Sequence, residues 1–364
     1  MRTILLLLSV GAPVWLLAGE GRPERFLRRL ARDDANRDGK VTRQEFTGPP
    51  RLFERLDANR DGAITADEAN AFARRLPERR GPMSRPPLPD DLEEIRDVVF
   101  GTGGDRALRL NIIRPKNPPA VPMPVVVWVH GGAWRAGSKE GRRTIALARR
   151  GFFTVSIEYR LSQEAKFPAQ IEDCKCAIRW LRAHAKQYNI DPQRIGVWGA
   201  SAGGHLVALL GTSGGVEELE GNGGWADQSS RVQAVCDFFG PTDFTRMNEG
   251  GSSMDHDAPN SPESQLIGGP VQQRKEACRK ANPITYVTPD DPPFLIVHGE
   301  DDRTVPINQS ELLYEALKKA GVDVTFVRVK RGGHGFRGNT DPSPQRIEQL
   351  VIEFFEKHLK PTGH

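Results

Sequence analysis

Three residues far apart in the chain have the types and the order that nucleophilic acyl transfer needs. Ser201 is the centre of Gly199-Ala200-Ser201-Ala202-Gly203, Asp302 lies in HGEDDRTVP, and His334 lies in RGGHGF. A serine hydroxyl is a weak nucleophile until an imidazole takes its proton and a carboxylate holds that imidazole in one tautomer. The three side chains would therefore form an acyl-enzyme on Ser201, with His334 as base and then acid and Asp302 as its orienting partner. The segment HGGAW, His130 to Trp134, supplies the other requirement. Backbone N–H groups from Gly131, Gly132 and Ala133, with that of Ala202 behind the serine, can face the oxyanion that develops on the substrate carbonyl. Asp301 competes with Asp302 for the acid role, and the spacing favours Asp302. His130 and His298, at strand ends, read as groups that orient backbone. Trp134 is the candidate wall of the acyl pocket and Trp225 a second, whereas Trp198 reads as core packing. Asp243, Tyr159 and Arg160 read as structural hydrogen-bonding groups.

Those residues need a scaffold that holds loops at one edge of a sheet. Runs rich in Val and Ile, at 95–100, 108–114, 125–129, 154–158, 195–199, 234–239, 294–298 and 324–329, predict eight strands. Amphipathic stretches at 143–150, 168–188, 202–211, 308–320 and 344–359 predict helices between or after them. The alternation predicts an α/β class with a mostly parallel sheet flanked by helices, its first two strands forming a hairpin. In this arrangement a sharp turn from strand to helix lifts the Ser201 oxygen clear of the sheet, and the glycines around it leave room for that turn.

A second chemistry sits near the N-terminus. DANRDGKVTRQE, Asp34 to Glu45, is followed by DANRDGAITADE, Asp57 to Glu68. Side-chain oxygens of Asp34, Asn36, Asp38 and Glu45, with the Lys40 carbonyl, fall where a hard cation needs them, and Asp57, Asn59, Asp61, Glu68 and the Ala63 carbonyl repeat the set. Gly39 and Gly62 provide the turn, and Val41 and Ile64 can pair across the loops. The repeat resembles an EF-hand pair, which implies calcium as its ion and places a small all-α unit at residues 22–76, ahead of the α/β unit. Asp57 follows Glu45 by only twelve positions, with Gly48-Pro49-Pro50 between, so the intervening helices must be short. That favours a stabilising module over a switch. Asp33 stands where an apolar residue is usual, which predicts a less well packed first hand.

The rest of the chain bounds the reading. Residues 77–91, rich in proline and charge, predict a linker, with the catalytic unit at 92–360. The apolar run Ile4 to Ala18 behind Arg2 reads as a signal peptide over residues 1–19, so the protein is expected to be secreted or periplasmic, with no span in the mature chain. Lys and Arg number 51 against 47 Asp and Glu, a net charge of +4 that points to no nucleic-acid partner. Cys174 and Cys176 are two apart on one predicted helix and point to different sides, so they should not pair with each other. Each could pair with Cys236 or Cys278, or all four could stay thiols.

From about Glu94 to Leu359 the chain resembles α/β-hydrolase carboxylesterases related to feruloyl and acetylxylan esterases, on HGGAW, GASAGGHL, FGPTDF, HGEDDRTVP and GGHGF. The resemblance implies a serine carboxylesterase acting on short acyl or aromatic esters, as small molecules or on polysaccharide, with no cofactor for catalysis. Two alternatives remain at this point. One is a prolyl-oligopeptidase-type peptidase, against which Ala202 stands where such enzymes carry an aromatic residue. The other is a calcium-dependent binding protein whose hydrolase unit is inert.

Overall fold

The computed structural model describes residues 30, 32–36, 38–48, 50–75, 87–336 and 338–360. The signal-peptide segment and most of the linker, 77–86, lie outside them. Contacts divide the chain into two compact units that meet in sequence at Pro87 and Leu88.

In the first unit the two loops are tied by a short antiparallel ribbon, β1 (Lys40–Thr42) on β2 (Ala63–Thr65), with Val41 opposite Ile64. Helix α1 (Pro50–Leu56) lies between them in sequence and α2 (Ala66–Arg75) follows. Leu30, Val41, Phe53, Leu56, Ile64 and Ala69 form the core. Asp33 does not leave a gap in the first hand. It is buried, and its carboxylate accepts the Thr47 hydroxyl at 2.8 Å and the Thr47 N–H at 3.4 Å, so a polar contact replaces the apolar one expected there.

The second unit is built on eight strands: β3 (Leu92–Gly103), β4 (Arg106–Pro115), β5 (Met123–Val129), β6 (Phe153–Ile157), β7 (Ile190–Ala200), β8 (Ala234–Phe238), β9 (Phe294–Gly299) and β10 (Val324–Val329). Their order in the sheet is β10-β9-β8-β7-β5-β6-β4-β3. The β3–β4 hairpin is antiparallel, as is β4 to β6, and every other pairing is parallel. A parallel sheet is covered on both faces, and its strands are accordingly apolar throughout. Val125, Val127 and Val129 of β5 face one cluster and Val126 the other. The first face packs on α3 (Ala169–Ala183), α4 (Ala202–Thr212) and α5 (Asn308–Ala320), and the second on α6 (Pro344–Leu359).

Three elements differ from the sequence expectation. The helix at 143–150 shortens to Ile145–Ala148. The helix expected over 168–188 breaks at His184, where the imidazole Nδ1 bonds the Trp180 carbonyl at 2.8 Å beside the backbone N–H that already uses it. Between β8 and β9, where no element was foreseen, the chain folds into short turns of helix that include Pro262–Ile267 and Lys275–Ala281. The consequence for function is positional. HGGAW follows β5, Ser201 follows β7, Asp302 follows β9 and His334 follows β10, so all four loops leave the same edge of the sheet, the carboxyl ends of parallel strands.

Candidate active site

Ser201 joins the end of β7 to the start of α4 in a conformation of φ 57° and ψ −122°. A non-glycine residue held there costs about 1–3 kcal/mol, which the packing around it must offset. Its N–H donates to the Phe238 carbonyl at 2.8 Å, anchoring the turn to β8. The helix runs directly over β5, and a side chain at Gly203 would run into the Val129 carbonyl. The glycine is required by that approach.

Asp302 and His334 are in contact. His334 Nδ1 donates to Asp302 Oδ2 at 2.7 Å, and the carboxylate is fully buried. The other oxygen, Oδ1, accepts the N–H groups of Thr304 at 2.8 Å and Val305 at 3.0 Å. Burial alone would raise this carboxyl, but the imidazoles of His298 and His334 outweigh it and hold Asp302 well below the usual carboxylate range. It therefore stays charged and can orient an imidazolium. Asp301 is exposed, and its N–H donates to the Gly332 carbonyl. His298 is committed elsewhere: Nδ1 faces the Ser310 hydroxyl at 2.7 Å and Nε2 donates to the Val305 carbonyl at 2.8 Å, bracing the turn that carries Asp302. Ser201 and His334 border neighbouring residues, Ser201 bonding Phe238 and the His334 ring lying against Phe239 at 4.7 Å between centroids. Among the described residues no hydrogen bond joins Ser201 Oγ to His334. Such bonds commonly tighten only when substrate is bound.

The loop after β5 is held in an unusual shape. Gly132, Ala133 and Trp134 have φ of 118°, 57° and 53°. A side chain at Gly132 would strike the Ala136 carbonyl, so this turn needs glycine. His130 Nδ1 donates to the Gly131 carbonyl at 2.8 Å, and its ring stacks on Tyr159, whose hydroxyl donates to the His130 carbonyl at 3.0 Å. Burial lowers the His130 pKa. The imidazole is thus a neutral brace for the loop. Trp134 is buried, with its indole N–H 3.2 Å from His205 Nδ1, while His205 Nε2 donates to the Ala281 carbonyl at 2.7 Å. Complete burial pushes His205 down to about 4, which keeps it neutral and able to accept from Trp134.

Beside Ser201 lies a small cleft of about 30 Å³ walled by Ala133, Trp134, Pro241, Met254, Pro262 and Val305, with Ala202 at its base. It also contains His256 and Glu263, which the sequence reading missed. Trp225 takes no part in it; its indole N–H donates to the Phe100 carbonyl at 2.8 Å. Trp198 packs edge-on against Trp128 and Phe238 in the core.

In the first unit the loop oxygens cap their own turns. Asp34 accepts from the N–H groups of Asp38 and Gly39, and Asp57 from those of Asp61 and Gly62, all at 3.1 Å. Glu45 Oε2 bonds Thr42, and Glu68 Oε2 bonds Thr65. The donor set is all oxygen and rich in carboxylate, which fits calcium chemistry. Among the described residues no three His, Cys, Asp or Glu side chains converge closely enough to hold an ion.

With the geometry in view, the chain can be placed. It belongs to the BD-FAE family of α/β-hydrolases, whose model matches residues 110–317, and the segments 34–47 and 51–72 match the EF hand. Esterase LipC of Mycobacterium tuberculosis is 32% identical over 66% of this chain and 59% of its own length. The chain thus spans about three fifths of that relative. A truncated carbohydrate esterase from gut microbiota superposes with a TM-score of 0.66 at 32% identity, over 74% of this chain and 98% of that one. Est2, a thermophilic esterase of Thermogutta terrifontis, gives 0.61 at 29% identity over 77% of this chain and 97% of its own. Its structure is also known with propionate and with butyrate bound.

Proposed function

We propose that the chain is a serine carboxylesterase that removes short acyl groups. The observation that carries this reading is the strained Ser201 turn set at the same sheet edge as His334 and the buried Asp302 carboxylate it is bonded to. Ser201 Oγ attacks the ester carbonyl while His334 Nε2 takes its proton. Asp302, already bonded to Nδ1, fixes that tautomer and steadies the positive ring. Backbone N–H groups of the Gly131–Ala133 turn and of Ala202 receive the oxyanion, and His334 returns the proton to the departing alcohol. Water then enters by the same route in reverse and releases the acid. The small cleft of about 30 Å³ favours short acyl groups, and the Est2 structures with propionate and butyrate bound are in keeping with that range.

The natural ester is read as one carried by a saccharide, on the likeness to the gut carbohydrate esterase. The first unit is read as a calcium-stabilised module, held by Asp34, Asn36, Asp38, Glu45 and the Lys40 carbonyl and by Asp57, Asn59, Asp61, Glu68 and the Ala63 carbonyl. Bound calcium would neutralise the crowded carboxylates and so favour the folded loops. Export is read from the apolar run at residues 4–18, and is tested by fractionation and by sequencing the mature N-terminus. The enzymatic reading is tested by hydrolysis of p-nitrophenyl esters from acetate to octanoate, with a fluorophosphonate label on Ser201. Turnover should be greatest on acetate and absent, with the label, in Ser201→Ala. Equal activity in that variant, or no ester turned over by the natural chain, overturns it.

A further inference from the structure

The cleft beside Ser201 is apolar on nearly every side, and an acetyl methyl asks for nothing more. Yet it contains an ionisable pair. His256 and Glu263 are each about 3% exposed at the side chain, and Nδ1 of His256 lies 3.0 Å from Glu263 Oε2. Both atoms are buried, and neither makes a hydrogen bond. A buried carboxylate is costly unless its lone pairs are used. Here a lone pair is left over next to the nucleophile.

The pair is held in place from several directions. His256 Nε2 is 2.8 Å from the Ser252 hydroxyl, and Ser252 also donates to the Arg303 carbonyl, immediately after Asp302. The His256 N–H donates to Asn248 Oδ1 at 2.9 Å, and its carbonyl accepts the Ser261 hydroxyl at 2.7 Å. Ser261 in turn accepts the N–H of Ser264, starting the helical turn that presents Glu263. These contacts hold the His256 ring and the start of the turn that carries Glu263, and so place the pair at the cleft before any substrate enters.

We propose that Glu263, positioned by His256, determines specificity by accepting a hydrogen bond from a hydroxyl on the substrate next to the scissile ester. The occupant is a neutral donor, because the rest of the cleft is apolar and the His256 ring already lies against the carboxylate. It is also small, in keeping with the narrow cleft that Glu263 lines. The inference rests on Ser201 being the nucleophile. The hydroxyl could belong to the acyl group or to the alcohol, as in a partly acylated polyol, and the test separates the two.

Three esters of nearly equal size provide it: ethyl acetate with no hydroxyl, ethyl glycolate with one on the acyl side, and 2-hydroxyethyl acetate with one on the alcohol side. kcat/KM for each is measured on the full chain and divided by its rate with hydroxide, which removes intrinsic reactivity. One hydroxylated ester should exceed ethyl acetate in the natural protein, and which one identifies the source. Glu263→Leu should reduce that ratio by about tenfold or more, the scale of a lost hydrogen bond to a charged group. Glu263→Gln, which keeps the shape, should reduce it less, and serves where Leu fails to fold. Fluorophosphonate labelling of Ser201 reports whether the site is assembled in each variant. No preference in the natural protein, or an equal fall on all three esters in the variants, overturns the inference while leaving the esterase reading intact. Failure of the natural protein on all three overturns the esterase reading itself.

Discussion

Asp302 in the hydrolase unit and Asp57 in the second EF-hand loop begin with the same local device, a carboxylate accepting N–H groups from residues just ahead of it. Asp302 Oδ1 takes those of Thr304 and Val305, and Asp57 takes those of Asp61 and Gly62. What surrounds them differs. Asp302 is fully buried and its second oxygen meets an imidazole. Asp57 spends both oxygens on its own loop and has Asn59, Asp61 and Glu68 for company. One carboxylate has its countercharge built into the chain, and the other sits in a crowd of oxygens that only an added cation can relieve. The turn shapes the loop, and the partner opposite decides what the loop is for.

The comparison breaks most completely if the imidazole partner is removed. Ser201→Ala and His334→Ala should each lower kcat by about 10⁴-fold or more in an ester assay, because the groups act as a unit. A smaller but still severe loss, about 10³- to 10⁴-fold, is expected for Asp302→Asn, which keeps the turn but upsets the tautomer. Asp301→Asn, at an exposed carboxyl, should stay within about threefold of the natural rate. The reverse order of the two Asp variants would assign the acid to the wrong residue.

A third aspartate sharpens the contrast. Asp237 is completely buried in β8 behind the serine turn, accepts one N–H from Gly240 at 2.9 Å and leaves Oδ2 without a partner. Burial pushes it up to about 7. The folded state therefore binds this proton over a range where the unfolded chain has lost it, and stability falls as pH rises from about 4 to about 7. The full span is on the order of 4 kcal/mol. Asp237→Asn should flatten that slope in urea melts taken across the range.

The smallest effect concerns the two EF-hand loops. Calcium at about a hundredfold excess over Kd should stabilise the first unit by about 2.7 kcal/mol per site, seen as a rise in its Tm, and Glu68→Gln should abolish one site's share. Chelation should change the rate on a soluble ester by no more than about twofold, since the two units join through a proline-rich segment and the mechanism uses no metal. A large loss of activity on chelation without unfolding of the hydrolase unit would show that they are coupled.

Much of this was legible because local rules and global fold agree. Continuous runs rich in Val and Ile, alternating with amphipathic stretches, located all eight strands, and the carboxyl-end loops followed from their order. Gly203 could be read as a requirement of the turn from its place in the Gly-x-Ser-x-Gly pattern, and the structure shows the Val129 carbonyl as the approach that requires it. The break at His184 was not legible, since it depends on an imidazole reaching back for a carbonyl that the helix also uses. The helical turns between β8 and β9 were hidden by a polar composition that reads as loop. Those turns hold His256 and Glu263, seven residues apart in a segment with no recognisable pattern, and only their convergence on the Ser201 cleft gives them meaning.

All four cysteines are buried free thiols, and burial pushes Cys176 up to about 11 and Cys278 up to about 12. Cys174, Cys176 and Cys278 belong to the cluster on one face of the sheet, and Cys236 to the cluster on the other. A thiol that is both hidden and protonated reacts with an alkylating reagent only when the surrounding structure opens. The chain thus carries a built-in pair of clocks. Mass spectrometry of timed alkylation would report, cysteine by cysteine, which face of the sheet loosens first under heat or denaturant, without a label having to be engineered into it.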